Sequence, residues 1–393
     1  MTTLLKLLCF FLAIQGLSSC KDNDEPSSKE KVSSTVLVYM VAQNNLQSSL
    51  EKNISDMMIG MKNAPEGTNW LVYIDSNTSA PTLYLLKQNA NGNVTRETVT
   101  TYPNQYSTSA LTMADVINDA FARYPAENYG LILSSHANAW FPAYRTAPQN
   151  RSFGEEIVNN LSYNMDITDM ADALTQVPHL KYIVFDACLM GCVEVAYELR
   201  QAADYLIASP ASILSTGFPY KNVVPNLSRM TENSLLTVVN QYYAEYQYSI
   251  GTLSLVKLSQ MENVAQAMNK MMQQETSQKY ANQITPSNKQ AFDTTYPCYD
   301  FGQLIDSIGV ENKTYTATIK SALNKAIPYT VYSKYAYVND WGVFSLEIKF
   351  YSGLTSYIPP GNIYSETNYR KFYKKLDWYE ASGWNYSNRF TTN

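Results

Sequence analysis

KYIVFDACLMGC, residues 181–192, sets a short apolar run against an acid and a thiol. Ile183 to Phe185 have the β-branched and aromatic character of a strand covered on both faces. Asp186, Ala187 and Cys188 fall where that strand ends, and LMGCVEVAYELR (189–200) reads as a helix behind them. In a sheet of parallel strands alternating with helices, the carboxyl ends of the strands are where sites form. The stretch therefore predicts both a fold and a place for chemistry.

The flanking sequence carries the same alternation. TVLVYMVA (35–42), NWLVYIDS (69–76), YGLILSSH (129–136) and DYLIASP (204–210) read as further buried strands. Helical spacing of apolar residues runs through 46–63, 113–126 and 166–177, and PTLYLLKQNANGNVTRETV (81–99) reads as a hairpin turning at Asn-Gly. Strands alternating with helices predict an α/β fold with a doubly wound, mostly parallel sheet. Beyond about residue 220 the texture changes. Segments 235–247 and 264–284 read as helices, and 252–258 and 343–351 as strands of the same sheet or of a second small unit. The organisation expected is a catalytic core over 35–250 and a C-terminal α+β extension over 251–393 packed on it.

Composition narrows the class. The chain has 393 residues, is 45% hydrophobic and 16% charged, and carries a formal charge of -5, with Lys and Arg unclustered. That argues for a large core and against nucleic acid as a partner. No internal repeat and no phosphate-loop spacing of glycines is present.

The amino terminus reads as an export signal. Lys6 precedes the apolar run LLCFFLAIQGL (7–17), and LSSC (17–20) follows. Cys20 after Leu-Ser-Ser resembles a bacterial lipoprotein cleavage box, which implies removal of 1–19 and lipidation of Cys20. An ordinary signal peptide with an incidental cysteine is the alternative. KDNDEPSSKEK (21–31) is charged and Ser-rich, as a flexible tether within 20–34 would be. Its acidic residues resemble the export tags of surface lipoproteins in Bacteroidetes-type bacteria. The expected location is the bacterial cell envelope, lipid-anchored at the outer membrane or cell surface. Of the five cysteines, Cys188, Cys192 and Cys298 would remain, an odd number that leaves at least one thiol free unless pairing is intermolecular.

A cysteine nucleophile needs a base nearby and N–H donors for the oxyanion. The chain has two histidines. His179 precedes the 181–188 strand and lies at its wrong end. His136 ends the 129–136 strand at the matching end, so it faces Cys188 if the two strands are neighbours. The order, His first and Cys about 50 residues later, fits a caspase-like arrangement. A buried structural thiol is the alternative for Cys188. A metal site of Cys188, Cys192 and His136 lacks a fourth ligand.

These strings resemble the clostripain family of cysteine peptidases, above all FDACLMGCVEVAYEL (185–199), YGLILSSHANAW (129–140), ADYLIASPASILSTGFPY (203–220) and DWYEASGW (377–384). The resemblance implies a caspase-like fold, a His136/Cys188 dyad and cleavage after Arg or Lys. It makes Asp186 the acid that receives the basic side chain, where an N-cap role is the alternative. It assigns the oxyanion donors to the backbone N–H groups of Ala137 and Cys188. It also raises self-cleavage between the His and Cys strands, where Arg145 and Arg151 lie. Calcium, used by some relatives, is not specified here by a compact acidic loop, and no cofactor is expected.

Two departures stand out. The family's His-Gly-x-Gly-Trp is His-Ala-Asn-Ala-Trp at 136–140, and Pro219 stands where some relatives carry a second pocket acid. Partners expected are protein or peptide substrates, and the membrane through the lipid anchor. Two other readings stay open: a catalytically impaired caspase-fold binding lipoprotein, and another hydrolase or acyl-transfer enzyme built on the same dyad.

Overall fold

The computed structural model describes residues 34–142, 152–247, 251–340, 343–359 and 367–390. The signal segment, Cys20, most of the tether, Arg145 and Arg151 lie outside the described residues.

The strands in chain order are β1 (Ser34–Ala42), β2 (Thr68–Ser76), β3 (Ser79–Gln88), β4 (Val94–Thr101), β5 (Asn128–Ser134), β6 (Phe153–Val158), β7 (Leu161–Met165) and β8 (Leu180–Asp186). They continue with β9 (Ala203–Ala208), β10 (Thr252–Lys257), β11 (Cys298–Asp300), β12 (Tyr329–Tyr332), β13 (Tyr335–Asp340), β14 (Val343–Glu347) and β15 (Thr355–Tyr357). One sheet takes nine of them, in the order β12-β10-β9-β8-β5-β1-β2-β3-β4. The five central strands β9, β8, β5, β1 and β2 are parallel. Of the outer strands, only β3 and β10 run against that direction.

The central strands are apolar throughout because both faces are covered. Successive side chains of a strand point to opposite faces. In β1, Leu37, Tyr39 and Val41 join one core, while Val36, Val38 and Met40 join the other. In β8, Ile183 and Phe185 alternate in the same way with Tyr182 and Val184. Helices Gln47–Gly60, Tyr220–Arg229 and Glu232–Tyr246 supply one cover, through residues such as Ile54, Val224 and Val238. Helices Ala110–Arg123, Ile167–Leu174 and Met261–Met272 supply the other, through residues such as Ile117, Met170 and Met268. The expected α/β sheet of mostly parallel strands flanked by helices is what forms.

Several local expectations are corrected. The helix read from Leu189 starts only at Val193. Leu189 has φ 65 and donates to Ala211 O at 3.1 Å, and Gly191 N donates to Ser209 O at 2.8 Å, so 187–192 pairs with the next loop instead of winding. β5 stops at Ser134 and β8 at Asp186, which puts His136 and Cys188 in loops two residues past their strands. Segment 264–284 is two helices, Met261–Met272 and Glu275–Gln283. β14 pairs with β13 in a separate ribbon, whereas β10 and β12 join the main sheet. The β6–β7 hairpin was not legible at all. Among the described residues, no helix is long and apolar enough to cross a membrane.

Candidate active site

β5 and β8 are neighbours in register, with Ser134 opposite Asp186. The two loops that follow therefore leave the same edge of the sheet side by side. His136, Asp186 and Cys188 line one cleft of about 320 Å³, together with Asn53, Ile213 and Gly217. His179 sits before β8 and binds Asp204 at 2.8 Å, far from this cleft in the topology.

Pairing of loop 187–192 with loop 209–213 sets Cys188 beside Ile213. The Ile213 N–H donates to Cys188 Sγ at 3.3 Å, and the thiol donates to Ile213 O at 3.7 Å. Burial pushes the Cys188 thiol pKa up, opposed by the Ile213 N–H and the Ser212 hydroxyl and reinforced by the charges of Asp293 and Asp186. The resting side chain is a neutral thiol, which needs a base before it can attack.

His136 directs Nε2 at Asn45 Oδ1, 2.6 Å away, and Glu155 Oε2 lies 3.9 Å from the same nitrogen. Its carbonyl accepts from Gly154 N at 2.8 Å, which ties the loop to β6. Ala137 bridges Phe153 in that pairing, while its neighbours His136 and Asn138 make the hydrogen bonds with Gly154 and Ser152. Among the described residues, neither the Ala137 N–H nor the Cys188 N–H donates to another group of the fold. Of the two, Cys188 lines the cleft and Ala137 follows the cleft residue His136.

The two alanines of the 136–140 string behave differently. Ala137 is not among the residues with positive φ, whereas Ala139 sits at φ 54, the left-handed region that favours glycine. The strain of the departure thus falls on Ala139.

Asp186 is buried, and Oδ2 accepts from Tyr220 Oη at 2.8 Å and Ser134 Oγ at 3.2 Å. Burial raises its pKa to about 6 against these hydroxyls and the Phe218 N–H, which favour the charged form. Among the described residues, no Lys, Arg or His forms an ion pair with this carboxylate. Gly217, at φ +68, leaves the space: a Cβ there would lie 2.6 Å from both Asp186 Oδ2 and Asn53 Nδ2. Asn53 Nδ2 is buried with no partner of its own. Pro219 stands at the N-cap position of helix Tyr220–Arg229, and its neighbour Tyr220 reaches Asp186. An N-cap role for Asp186 does not arise, because no helix begins there.

Of the residues singled out in the sequence, the fold brings His136, Asp186 and Cys188 to this one cleft, with Ala137 adjoining His136. Sequence reading missed Asn45 and Ile213 on loops, Asn53 and Tyr220 on helices, Ser134 at the end of β5 and Glu155 on β6. The one available signal was Gln-Asn-Asn at 43–45, a polar run directly after the buried β1. Among the described residues, no group of three or more His, Cys, Asp and Glu is arranged to hold a metal.

A model of the family described as Peptidase C11, the clostripain family, matches residues 38–387. Clostripain of Hathewaya histolytica is 27% identical over 221 residues, which cover 48% of this chain and 41% of that protein. The match thus spans less than half the length of that curated relative. An inactive zymogen C11 protease from Parabacteroides distasonis is similar in structure, with TM-score 0.77 and 28% identity, over 90% of this chain and 99% of that one. A secreted C11 cysteine protease from Bacteroides thetaiotaomicron, solved with an irreversible peptide inhibitor, has TM-score 0.78 and 28% identity over the same shares. With a match running through nearly the whole described chain and neighbours built on the same architecture, the chain belongs to the clostripain family of cysteine proteases.

Proposed function

We propose that the chain is an endopeptidase in which Cys188 is the nucleophile, His136 its acid–base partner and Asp186 the receptor for an Arg or Lys side chain. The observation that carries this reading is the in-register exit of the His136 and Cys188 loops into one cleft with Asp186 at its wall.

His136 takes the Cys188 proton as the sulfur attacks the scissile carbonyl. The unspent N–H groups of Ala137 and Cys188 receive the developing oxyanion. His136 then passes the proton to the departing amine, leaving an acyl-enzyme. Water, deprotonated by His136, attacks that thioester; the C–S bond breaks, the carboxylic acid leaves and His136 returns the proton to the thiol. A guanidinium or ammonium reaching Asp186 supplies the charge partner that the buried carboxylate lacks.

The reading extends to segments outside the described residues. Cys20 is the lipid attachment point of an envelope protein, and Arg145 or Arg151 are the points of self-cleavage. A second reading, the impaired binding lipoprotein, is favoured by one observation, the strained Ala139 within the histidine loop.

The test uses the mature chain from Lys21 with a mixed peptide library, beside a Cys188→Ala control, with cleavage sites read by mass spectrometry. Cleavage after Arg or Lys that is absent from the control is the expected result. Cleavage after other residues would remove the Asp186 role and keep the dyad. Intact peptides, with a folded chain whose Cys188 alkylates slowly, would favour the binding lipoprotein.

A further inference from the structure

A second pocket opens on the same edge of the sheet, beyond His136 as seen from Cys188. It encloses about 480 Å³, and its wall includes Gln43, Asn77, Asn104, Gln105, Tyr106 and Glu156. The strand order β8-β5-β1-β2 explains its place. Cys188 lies just past β8, His136 past β5, Gln43 past β1 and Asn77 past β2. These four strands are parallel, so the four residues leave one edge in that order. Two segments join the pocket to the cleft. Gln43 lines the pocket, and Asn45, two residues on, lines the cleft. Glu155 Oε2 lies 3.9 Å from His136 Nε2, and the next residue, Glu156, lines the pocket.

The pocket wall is built by the fold itself. Glu156 accepts from Ser107 N at 2.8 Å, from Thr108 N at 2.7 Å and from the Thr108 hydroxyl. Behind it, Ser107 Oγ donates to Asp75 Oδ2 at 2.6 Å, and Gln43 Nε2 donates to Asp75 Oδ1 at 2.7 Å. Both acids are buried and already supplied with donors. Among the described residues, no Lys, Arg or His lines the pocket. A carboxylate entering it would meet two buried acids and no cation. The Asn77 and Asn104 side chains make no hydrogen bond among the described residues. An apolar group would cover these amides without pairing them. The group that fits is polar and uncharged, able to donate and accept.

The chemistry of the cleft gives the pocket a direction. In the proposed reaction His136 hands a proton to the departing amine, so the peptide after the cut bond lies on the His136 side. The residue before the bond reaches Asp186. Neighbouring strands lie about 4.8 Å apart, and an extended peptide rises about 3.3 Å per residue. The two strand spacings from β5 to β2 therefore correspond to about three residues.

We propose that this pocket is a substrate subsite for the second to fourth residue after the scissile bond. It selects an uncharged hydrogen-bonding side chain, of the Asn, Gln, Ser or Thr kind, and rejects Asp and Glu. The inference rests on the His136/Cys188 reading.

The experiment uses peptides of one sequence, with the residue favoured in the library before the scissile bond, or Arg if none is favoured. Each carries Asn, Asp, Lys or Leu at the second, third or fourth position after the bond. The mature wild-type chain gives kcat/KM, and its Cys188→Ala form gives Kd. At one of the three positions, Asn is expected to be better than Asp, Lys and Leu by about tenfold in both quantities. With Asn77→Ala and Asn104→Ala combined, the ratios should fall toward one. A ratio cancels any general loss of activity, and thermal melts show that the variant folds. The two single variants serve if the combined one does not fold.

Equal values for the four peptides at all three positions would overturn the proposal. So would a preference for Asp, Lys or Leu, or a preference for Asn that the folded variants leave untouched. If the wild type cleaves no peptide, the peptidase reading fails by itself. The Kd ratios still decide the pocket, because binding to Cys188→Ala needs no turnover.

Discussion

Ser134 and Asp186 are direct partners in the parallel ladder, and the Ser134 hydroxyl donates to the Asp186 carboxylate at 3.2 Å. Each is followed two positions later by a residue of the proposed dyad, His136 or Cys188. A one-residue slip in parallel pairing would turn Asp186 to the other face of the sheet. The register is fixed by the apolar alternation of β5 and β8 between the two cores. Fold and site are thus specified by the same residues.

Labelling of the cysteines follows from their surroundings. Cys192 and Cys298 are buried, and burial pushes both thiols well above the usual range. Cys188 is half-buried and faces the cleft. A thiol reagent at neutral pH should therefore modify Cys188 first in the folded chain, and Cys188→Ala should remove the fast phase. Peptide mapping by mass spectrometry reads this directly, and fast modification of Cys192 or Cys298 would contradict it.

Asp186→Asn should separate activity from stability. The Asp186 carboxyl holds its proton in the fold up to about pH 6, while an unfolded aspartate releases it near about 3.9. The folded state then binds more protons than the unfolded state between those values, so stability falls as pH rises through this window. Above it the ionised carboxylate costs about 3 kcal/mol, from a shift of about two pK units. An amide oxygen still accepts from Tyr220 and Ser134. Asp186→Asn is therefore expected to melt higher than the wild type at pH 8, and the difference should vanish below about pH 4. Cleavage after Arg or Lys should be lost, and in the wild type it should rise with pH through about 6 as the carboxylate ionises. A variant less stable than the wild type at pH 8 would count against this account.

The parts legible in the sequence were those with a local signal. Continuous apolar runs gave the central strands β1, β2, β5, β8 and β9, and reactive side chains at the ends of two of them gave His136, Cys188 and Asp186. The helix expected at Leu189 failed for a tertiary reason: Leu189 and Gly191 hydrogen-bond to Ala211 and Ser209, and Leu189 takes φ 65. Beyond the polar run at 43–45, Asn45, Glu155 and Asn53 carry no local signature, because Asn45 and Glu155 meet His136 from a different loop and strand and Asn53 meets the cleft from a helix. The β6–β7 hairpin was hidden for a similar reason. Its buried residues include the acids Glu155 and Glu156, which accept hydrogen bonds from Ser162 Oγ and from the Ser107 and Thr108 N–H groups.

Glu194 anchors the C-terminal strand to the core. It is fully buried, and its Oε1 accepts from Ser356 Oγ at 2.8 Å, Tyr357 N at 3.0 Å and Tyr373 Oη at 3.0 Å. Burial raises its pKa against these donors, so loss of the charge itself costs little. Glu194→Gln keeps the accepting oxygen and should change stability by about 1 kcal/mol or less. Glu194→Ala deprives three buried donors of their acceptor and should cost about 3 kcal/mol or more. Urea unfolding of the two variants checks this, and equal losses would show that the site matters for volume and not for hydrogen bonding.

Ala139 and Ala137 offer a test of opposite signs within one loop. Ala139 is fully buried at φ 54 and its carbonyl accepts from Ser152 Oγ at 3.0 Å, so its conformation is fixed despite the left-handed backbone. Holding a non-glycine residue there costs about 1 kcal/mol. Ala139→Gly should recover roughly 0.5–1 kcal/mol of this. Ala137 has no such strain, and Ala137→Gly should cost about 0.5–1 kcal/mol through added freedom in the unfolded chain. Thermal melts of the two variants should therefore move in opposite directions. Peptidase activity in Ala139→Gly should equal or exceed that of the wild type, because the relaxed backbone still presents His136 and the Ala137 N–H. If Ala139→Gly instead lowers both stability and activity, the methyl group is a packing element of the loop, and the left-handed backbone is not its weak point.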